Sequence, residues 1–140
     1  MNKKSFLILS LLVPVMALCQ SVSKEKLISY GRFQNLKIIE KDLDSKGFIT
    51  KIDKDMLGAV KTEDSQNVSE VISCQIIQKN NVFSVVYQSP IYFEKFKIEL
   101  TSNLPFISEE NGITFYEGGS YRVGINEANK IVAIYTKLNK

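Results

Sequence analysis

Two apolar stretches separated by a pair of asparagines constrain the fold of this chain more than any other feature. Residues 70–78 and 82–88 carry apolar side chains at alternate positions, and Asn80-Asn81 lies between them. Asparagine tolerates the positive φ that both central positions of a type I′ turn require. A hairpin that turns at these two residues gathers six side chains on one face: Ile72, Cys74, Ile76, Phe83, Val85 and Tyr87. Turn chemistry and hydrophobic pattern therefore predict the same antiparallel ribbon, with Ile76 opposite Val85.

Further strands are predicted on the C-terminal side of this ribbon. Residues 91–100 follow the Ser89-Pro90 break and alternate apolar with charged side chains from Lys95 to Leu100, which is typical of a half-buried strand. A loop over residues 101–111, broken by Pro105, then leads to a turn at Glu109-Glu110-Asn111-Gly112 and a short strand over residues 113–116.

The last predicted hairpin pairs residues 121–125 with residues 131–136. A five-residue loop places Ile125 opposite Ile131, whereas a four-residue loop places it opposite Val132. Both registers bring apolar partners together, so the sequence leaves the register open.

The N-terminal third is less regular. Ser23 is a suitable helix cap, and Leu27, Tyr30 and Gln34 follow at helical spacing, but Gly31 interrupts the pattern, so residues 23–35 form a helix or a strand, with a short helix favoured. Residues 36–40 are predicted to be extended. Residues 56–66, with Gly58 and a mixed-charge run, are predicted to form a surface connection.

These patterns indicate one folded domain. A chain of 140 residues with 44% hydrophobic and 24% charged side chains has the composition of an ordinary globular protein. We expect a mainly β fold, an antiparallel sandwich or partly closed barrel of about seven or eight strands with at most one short N-terminal helix. The alternative is an α+β fold in which one helix packs on an antiparallel sheet.

The first 19 residues have the pattern of a bacterial signal peptide. Lys3-Lys4 precede an uncharged run over residues 6–18, and Ala17 and Cys19 provide small residues at −3 and −1 of a cut before Gln20. The run is shorter than the ~20 apolar residues of a transmembrane helix. We therefore expect residues 20–140 to form a single exported β-rich domain, secreted or periplasmic.

Lipid attachment at Cys19 is the alternative to simple cleavage. Met16-Ala17-Leu18-Cys19 resembles a bacterial lipobox, with Leu18 at the position where that motif has Gly, Ala or Ser. A lipidated Cys19 would anchor the domain to a membrane surface.

Composition argues against several function classes. The chain has no histidine, which removes the commonest general base and the commonest zinc ligand. Cleavage after Cys19 leaves Cys74 as the single thiol, which we expect to be buried on the apolar strip rather than reactive. Without Lys3 and Lys4 the remaining 16 basic and 15 acidic residues nearly balance, so nucleic acid is not an expected partner.

One segment resembles a known functional motif. Residues 42–53 place Asp42 and Asp44 at positions 1 and 3, Gly47 at position 6 and Asp53 at position 12, and so resemble an EF-hand calcium loop, although Lys46 occupies a ligand position. The resemblance implies calcium held by Asp42, Asp44 and Asp53. The alternative is a hairpin in which residues 36–41 return as residues 48–53, with turn residues between them.

The functional prediction is a non-catalytic binding domain, exported or associated with the cell envelope, that needs no cofactor. Its partner would be a protein or a small-molecule ligand of the envelope, and tyrosines suit such contacts. The candidate ligand-binding residues are Tyr87, Tyr92, Phe93, Tyr116 and Tyr121. A calcium-stabilised structural module over residues 42–53 is the first alternative. A carboxylate-based hydrolase is the second, with eight possible acids: Asp42, Asp44, Asp53, Asp55, Glu63, Asp64, Glu109 and Glu110.

Overall fold

The structure, a computed structural model, describes residues 21–63 and 67–140. Within these residues the chain forms three helices and eight strands. The helices are α1 (Lys24–Phe33), α2 (Leu36–Ser45) and α3 (Phe93–Thr101). The strands are β1 (Ile49–Asp53), β2 (Met56–Thr62), β3 (Val68–Ile77), β4 (Val82–Gln88), β5 (Phe106–Glu110), β6 (Ile113–Glu117), β7 (Tyr121–Asn126) and β8 (Ile131–Lys137).

All eight strands belong to one antiparallel sheet in the order β1-β2-β3-β4-β8-β7-β6-β5. Each half of the sheet is a four-strand meander, the first preceded by α1 and α2 and the second by α3, and the last strands of the two meanders, β4 and β8, meet at the centre. The sheet is not closed into a barrel, so β1 and β5 remain as its edges. The mainly β, antiparallel prediction is confirmed, but the sheet is single and three helices accompany it instead of at most one.

The two central hairpins are related by a local pseudo-two-fold axis. A shift of 49 positions maps the pairing register of residues 72–87 onto that of residues 121–136, and under this shift Val85 corresponds to Ile134, which is its own pairing partner. Both hairpins have four-residue loops that end on a left-handed residue, Asn81 at φ 56° and Lys130 at φ 55°. The centre of the sheet is therefore built twice from the same hairpin geometry.

The three helices bury apolar stripes in a single core against one face of the sheet. Helix α2 buries Leu36, Ile39 and Leu43, and α3 buries Phe93, Phe96 and Leu100. Their spacing of three and four residues keeps each stripe on one side of its helix. The strands contribute the other half of this core: Leu57, Ala59, Ile72, Cys74, Phe83, Val85, Tyr87, Val123, Ile125, Val132 and Ile134.

The predicted strand over residues 91–100 is wrong, because most of it forms helix α3. Ser89 explains the start of this helix, since its hydroxyl accepts hydrogen bonds from the backbone N–H groups of Ile91 and Tyr92 at 3.3 and 3.1 Å. The alternation that favoured a strand includes Ile98, which is 60% exposed on the outer side of the helix. The same stretch satisfies both periodicities, and packing against the sheet selects the helical one.

The extended segment predicted at residues 36–40, and with it the hairpin of residues 36–41 and 48–53, is also wrong. Asn35 caps helix α2 by accepting a hydrogen bond from Ile38 N at 3.2 Å. The predicted surface connection at residues 56–66 contains β2, which pairs with both β1 and β3. The helix favoured for residues 23–35 is confirmed, with Ser23 accepting from Lys26 N.

The central ribbon keeps its predicted faces but not its predicted register. Ile77 pairs with Val82, and residues 78–81 form a four-residue loop, so Ile76 lies opposite Phe83 instead of Val85. Only Asn81 of the two asparagines has a positive φ. The register differs by two residues, and an even shift leaves every side chain on its original face. In the last hairpin Ile125 pairs with Val132, which is the four-residue alternative.

Gly31 allows helix α1 to lie unusually close to β8. A Cβ atom on Gly31 would lie 2.5 Å from Oγ1 of Thr136, whose hydroxyl oxygen is buried without a hydrogen-bond partner in the described part of the chain. The contact fixes the depth at which α1 sits on the sheet.

We expect Gly31→Ala to lower the free energy of unfolding by about 1–3 kcal/mol, because the added methyl group overpacks this contact. In a Thr136→Ala background the oxygen is gone, and the same change should be neutral or stabilise by up to ~1 kcal/mol through helix propensity. Urea unfolding of the four proteins measures both effects. Equal losses in the two backgrounds would show that the Thr136 contact is not the cause.

Cys74 should be unreactive in the folded protein. Its side chain is fully buried, and burial raises the pKa of the thiol to about 12. We expect a Cys19→Ser variant to react with Ellman's reagent at pH 8 only after denaturation in guanidinium chloride, because the thiolate is the reactive species. Stoichiometric reaction of the native protein within minutes would contradict this burial.

Candidate functional site

The face of the sheet opposite the helices carries many apolar side chains with no described element packed over them. Strand alternation places on this face Val71, Ile77, Val82, Val86, Ile113, Phe115, Ile131 and Tyr135, all partly buried. Val60 and Met56 on β2 are 36% and 43% exposed. A solvent-facing side of an antiparallel sheet is usually polar. We call this side the open face.

At one end of the open face the sheet curls and forms a cleft. Residues from the β3–β4 hairpin (Ile77, Asn80 and Val82) and from β5 (Ile107, Ser108 and Glu110) line one cleft of about 410 Å³. On a flat sheet β4 and β5 would be four strand spacings apart, or about 19 Å. The strands β6 and β5 must therefore bend toward the β3–β4 hairpin, which makes this end of the open face concave.

An aromatic pair forms the floor of the cleft. The rings of Phe115 and Tyr135 have centroids 6.1 Å apart and are inclined at 46°. Gly124 lies beneath them, and a Cβ atom there would be 3.0 Å from Tyr135 and 3.4 Å from Phe115. Because Gly124 has no side chain, both rings can pack against the backbone of β7. Burial raises the pKa of Tyr135, so its phenol stays neutral at physiological pH.

Polar groups stand around this apolar floor. Arg122 lies beside Tyr135 in the sheet, and its Nε donates to Oε2 of Glu117 at 3.2 Å. Glu110 lines the cleft from β5, and Asn80 lines it from the β3–β4 loop. The charged groups lining the cleft are Arg122, whose charge is paired with Glu117, and Glu110, which is exposed to solvent.

The five aromatic residues predicted from sequence lie on the other side of the sheet. Tyr87, Tyr92 and Phe93 are buried in the core, and Tyr116 and Tyr121 pack against it. The structure therefore does not bring them together as an exposed contact surface. Phe115 and Tyr135 are the residues that the sequence argument missed. Phe115 lies opposite Gly124, and this glycine within a strand is the signal that could have identified it, whereas Tyr135 lies opposite Arg122 and Ser84 and has no such signal.

Tyr87 is held by a buried carboxylate. Its hydroxyl donates to Oε1 of Glu70 at 2.8 Å, and the backbone N–H of Ser21 donates to the same oxygen at 3.2 Å. Burial, followed by the charge of Glu70, raises the pKa of Tyr87. Glu70 is 2% exposed, so this pair ties the N-terminal end of the described chain into the core.

The calcium-loop residues are spread over two elements. Asp42 and Asp44 lie in helix α2, whereas Asp53 ends β1. Asp44 accepts a hydrogen bond from Thr50 Oγ1 at 2.5 Å. No cluster of three or more possible metal ligands occurs among residues 21–63 and 67–140. Calcium binding stays a prediction, as does carboxylate catalysis, for which Asp64 lies outside the described residues.

Asp42 instead takes part in a polar cluster between α1 and α2. The Tyr30 hydroxyl donates to Oδ2, Lys46 Nζ lies 3.2 Å from Oδ1, and Lys26 Nζ lies 3.6 Å from Oδ2. Partial burial opposes ionisation of Asp42, but these three partners outweigh it and hold its pKa below the ordinary value of 3.8. The cluster joins the two N-terminal helices.

The sequence matches no protein-family model, and comparison with curated proteins and with solved structures gives no significant match. In the described part of the chain no helix has the length and apolar character needed to cross a membrane, and the longest have 10 residues. The predicted signal peptide, which includes Cys19, lies outside the described residues, so export and lipid attachment stay predictions.

We expect Asp42→Asn to lower the urea midpoint of unfolding at pH 7 and to lower it by a smaller amount in acid. A carboxylate whose folded pKa is depressed stabilises the protein above its unfolded pKa, and this stabilisation is lost as the pH falls through the folded value. The difference between the two proteins should therefore shrink between pH 5 and pH 2. Asp53→Asn, at an exposed end of β1, is the control. A pH-independent difference for Asp42→Asn would contradict the charge-based explanation.

Proposed function

We propose that this protein is an exported, non-catalytic binding domain whose ligand site is the cleft on the open face. The observation that carries the proposal is the aromatic floor of Phe115 and Tyr135 inside a concave space of about 410 Å³. Binding sites for small molecules are concave, mostly apolar and furnished with a few polar groups. The cleft has each of these properties.

The composition of the cleft indicates the class of ligand. Its apolar lining comes from Ile77, Val82, Ile107, Phe115 and Tyr135. The charge of Arg122 is paired with Glu117, and the mostly apolar lining favours an uncharged ligand over an ionic one. Asn80 and the free donors of Arg122 can meet a polar edge, because the guanidinium has five N–H donors and Glu117 accepts from Nε. The ligand class that fits is a small, flat, apolar molecule with one or two hydrogen-bond acceptors.

The residues that line the cleft favour binding over catalysis. Catalysis by acid and base needs two titratable groups placed around a reacting bond. Glu110 is the one carboxylate among the residues that line the cleft, and it is exposed to solvent. The chain also has no histidine to serve as the base.

A neutral fluorescent probe tests the proposal. We expect N-phenyl-1-naphthylamine to bind the native protein in a 1:1 complex with increased fluorescence. Phe115→Ala and Tyr135→Ala should each weaken binding about tenfold, because a lost aromatic contact surface removes about 1.5 kcal/mol or more.

Val60→Ala is the matched control for this experiment. Val60 lies on the open face but not in the cleft, so its truncation should leave the dissociation constant within twofold. Circular dichroism and urea unfolding confirm that each variant is folded. Equal weakening by all three substitutions, or unchanged binding in both aromatic variants, would place the probe elsewhere and reject the cleft as the site.

A further inference from the structure

A second concave space adjoins the cleft on the open face. It has a volume of about 290 Å³ and lies at the end of the sheet where the β3–β4 and β6–β7 hairpins turn. The two spaces share four lining residues, Asn80, Val82, Arg122 and Tyr135. A ligand on the ring of Tyr135 can therefore extend from one space into the other. We call the second space the side pocket; its own lining residues are Asn81, Gly119, Ser120, Tyr121, Thr136 and Lys137.

Lys137 gives the side pocket a positive charge. It pairs with Val82 and lies two residues along β8 from Tyr135, so strand alternation puts its side chain on the open face. Lys137 is exposed and belongs to none of the ion pairs between described residues. The other cation, Arg122, is paired with Glu117. No acidic residue of the described ranges lines the side pocket, so its unbalanced charge is that of one ammonium group.

The turn between β6 and β7 adds hydrogen-bond donors to the side pocket. Gly119 has a φ of 83°, a conformation that glycine adopts without strain. The backbone N–H groups of Gly119 and Ser120 form no hydrogen bond with another described residue, and Ser120 also carries a hydroxyl group. Charge-assisted hydrogen bonds are about twice as strong as neutral ones. Donors beside an ammonium group therefore suit an anionic oxygen.

We propose that the side pocket binds a carboxylate carried by the apolar ligand of the cleft, which makes the ligand a small anionic amphiphile. This inference rests on the proposed function, because the cleft must hold the uncharged body of the ligand while the side pocket holds its charged end. Lys137 pairs with the carboxylate, and Ser120 donates to it. One unpaired ammonium group matches the single charge of a carboxylate better than the nearly double charge of a phosphate monoester.

The spacing along β8 sets the distance between the two parts of the ligand. Alternate residues of a strand lie about 7 Å apart on the same face, and Tyr135 and Lys137 are such a pair. A carboxylate attached directly to a flat body over Tyr135 would stay in the cleft, where the lining is mostly apolar. The ligand therefore needs a short flexible arm between its body and its carboxylate.

Two fluorescent probes that differ in charge test the proposal. 1-Pyrenebutanoate carries a carboxylate on a short alkyl arm, and 1-pyrenebutanol carries an uncharged hydroxyl on a similar arm. We expect the full chain to bind the butanoate about tenfold more tightly at low salt, and this preference should shrink in concentrated NaCl because the pair is exposed to solvent. Lys137→Gln should bring the two dissociation constants within twofold of each other and leave that of pyrenebutanol within twofold of its native value.

Lys79→Gln is the matched control for this experiment. Lys79 is exposed in the neighbouring β3–β4 loop and lines neither space, so its loss removes the same charge and should preserve the preference for the butanoate. Circular dichroism confirms that both variants are folded.

Three results would overturn the carboxylate site and leave the cleft standing, provided that pyrenebutanol and N-phenyl-1-naphthylamine still bind. They are equal affinity of the native protein for the two pyrene probes, a preference that survives Lys137→Gln, and an equal loss of preference in both lysine variants. Absence of binding by all three probes would reject the cleft and, with it, the side pocket.

Discussion

The antiparallel pairing of β4 with β8 is the interaction on which the rest of the fold depends. These two strands form the centre of the sheet, and every other strand reaches the centre through one of them. Their core-facing residues, Phe83, Val85, Val132 and Ile134 among them, are buried beneath the helices. The tail after β8 extends this connection, since Leu138 N donates to Asn81 O and Gln34 Nε2 donates to Lys137 O. Loss of this seam would leave two separate meanders, each with only half of the core.

The single sheet that the β4–β8 pairing creates has two different faces. The helices pack over one face, where the buried polar groups of Glu70 and Tyr87 are hydrogen-bonded to each other and Thr136 Oγ1 has no hydrogen-bond partner among the described residues. The open face carries more apolar side chains than the solvent-facing side of an antiparallel sheet usually does. Curling of β6 and β5 converts part of this surface into a cleft. The equivalent positions of the other central hairpin carry different side chains and form no such floor. Tyr135 and Arg122 correspond to Val86 and Ser73 in the other hairpin, where the side chains are smaller.

The sequence predicted the parts of the fold whose apolar residues fit strand alternation but not helical spacing. The central hairpin faces, the last hairpin and the short strand at Ile113–Glu117 follow from alternation combined with turn residues. Helix α3 was missed because residues 95–100 also alternate charged with apolar side chains, and the choice depends on contact with a sheet that is distant in sequence. Helix α2 was missed because the predicted segment ended at residue 40, before Leu43 completes the helical spacing of Leu36 and Ile39. The turn Asn111-Gly112, with φ values of 53° and 79°, was predicted, but the strand before it was not. The candidate site was not predictable, because it depends on which face the helices leave uncovered and on the curl of β5.

Strand β8 follows β4 by many residues in the sequence, and this affects the order in which the sheet can form during synthesis. A ribosome completes β4 some 49 residues before the strand that must lie beside it, so the growing chain cannot close its own centre. Non-local pairing of this kind slows folding. The two meanders can therefore join into one core only after β8 has been made, and until then the inner edge of β4 has no partner strand.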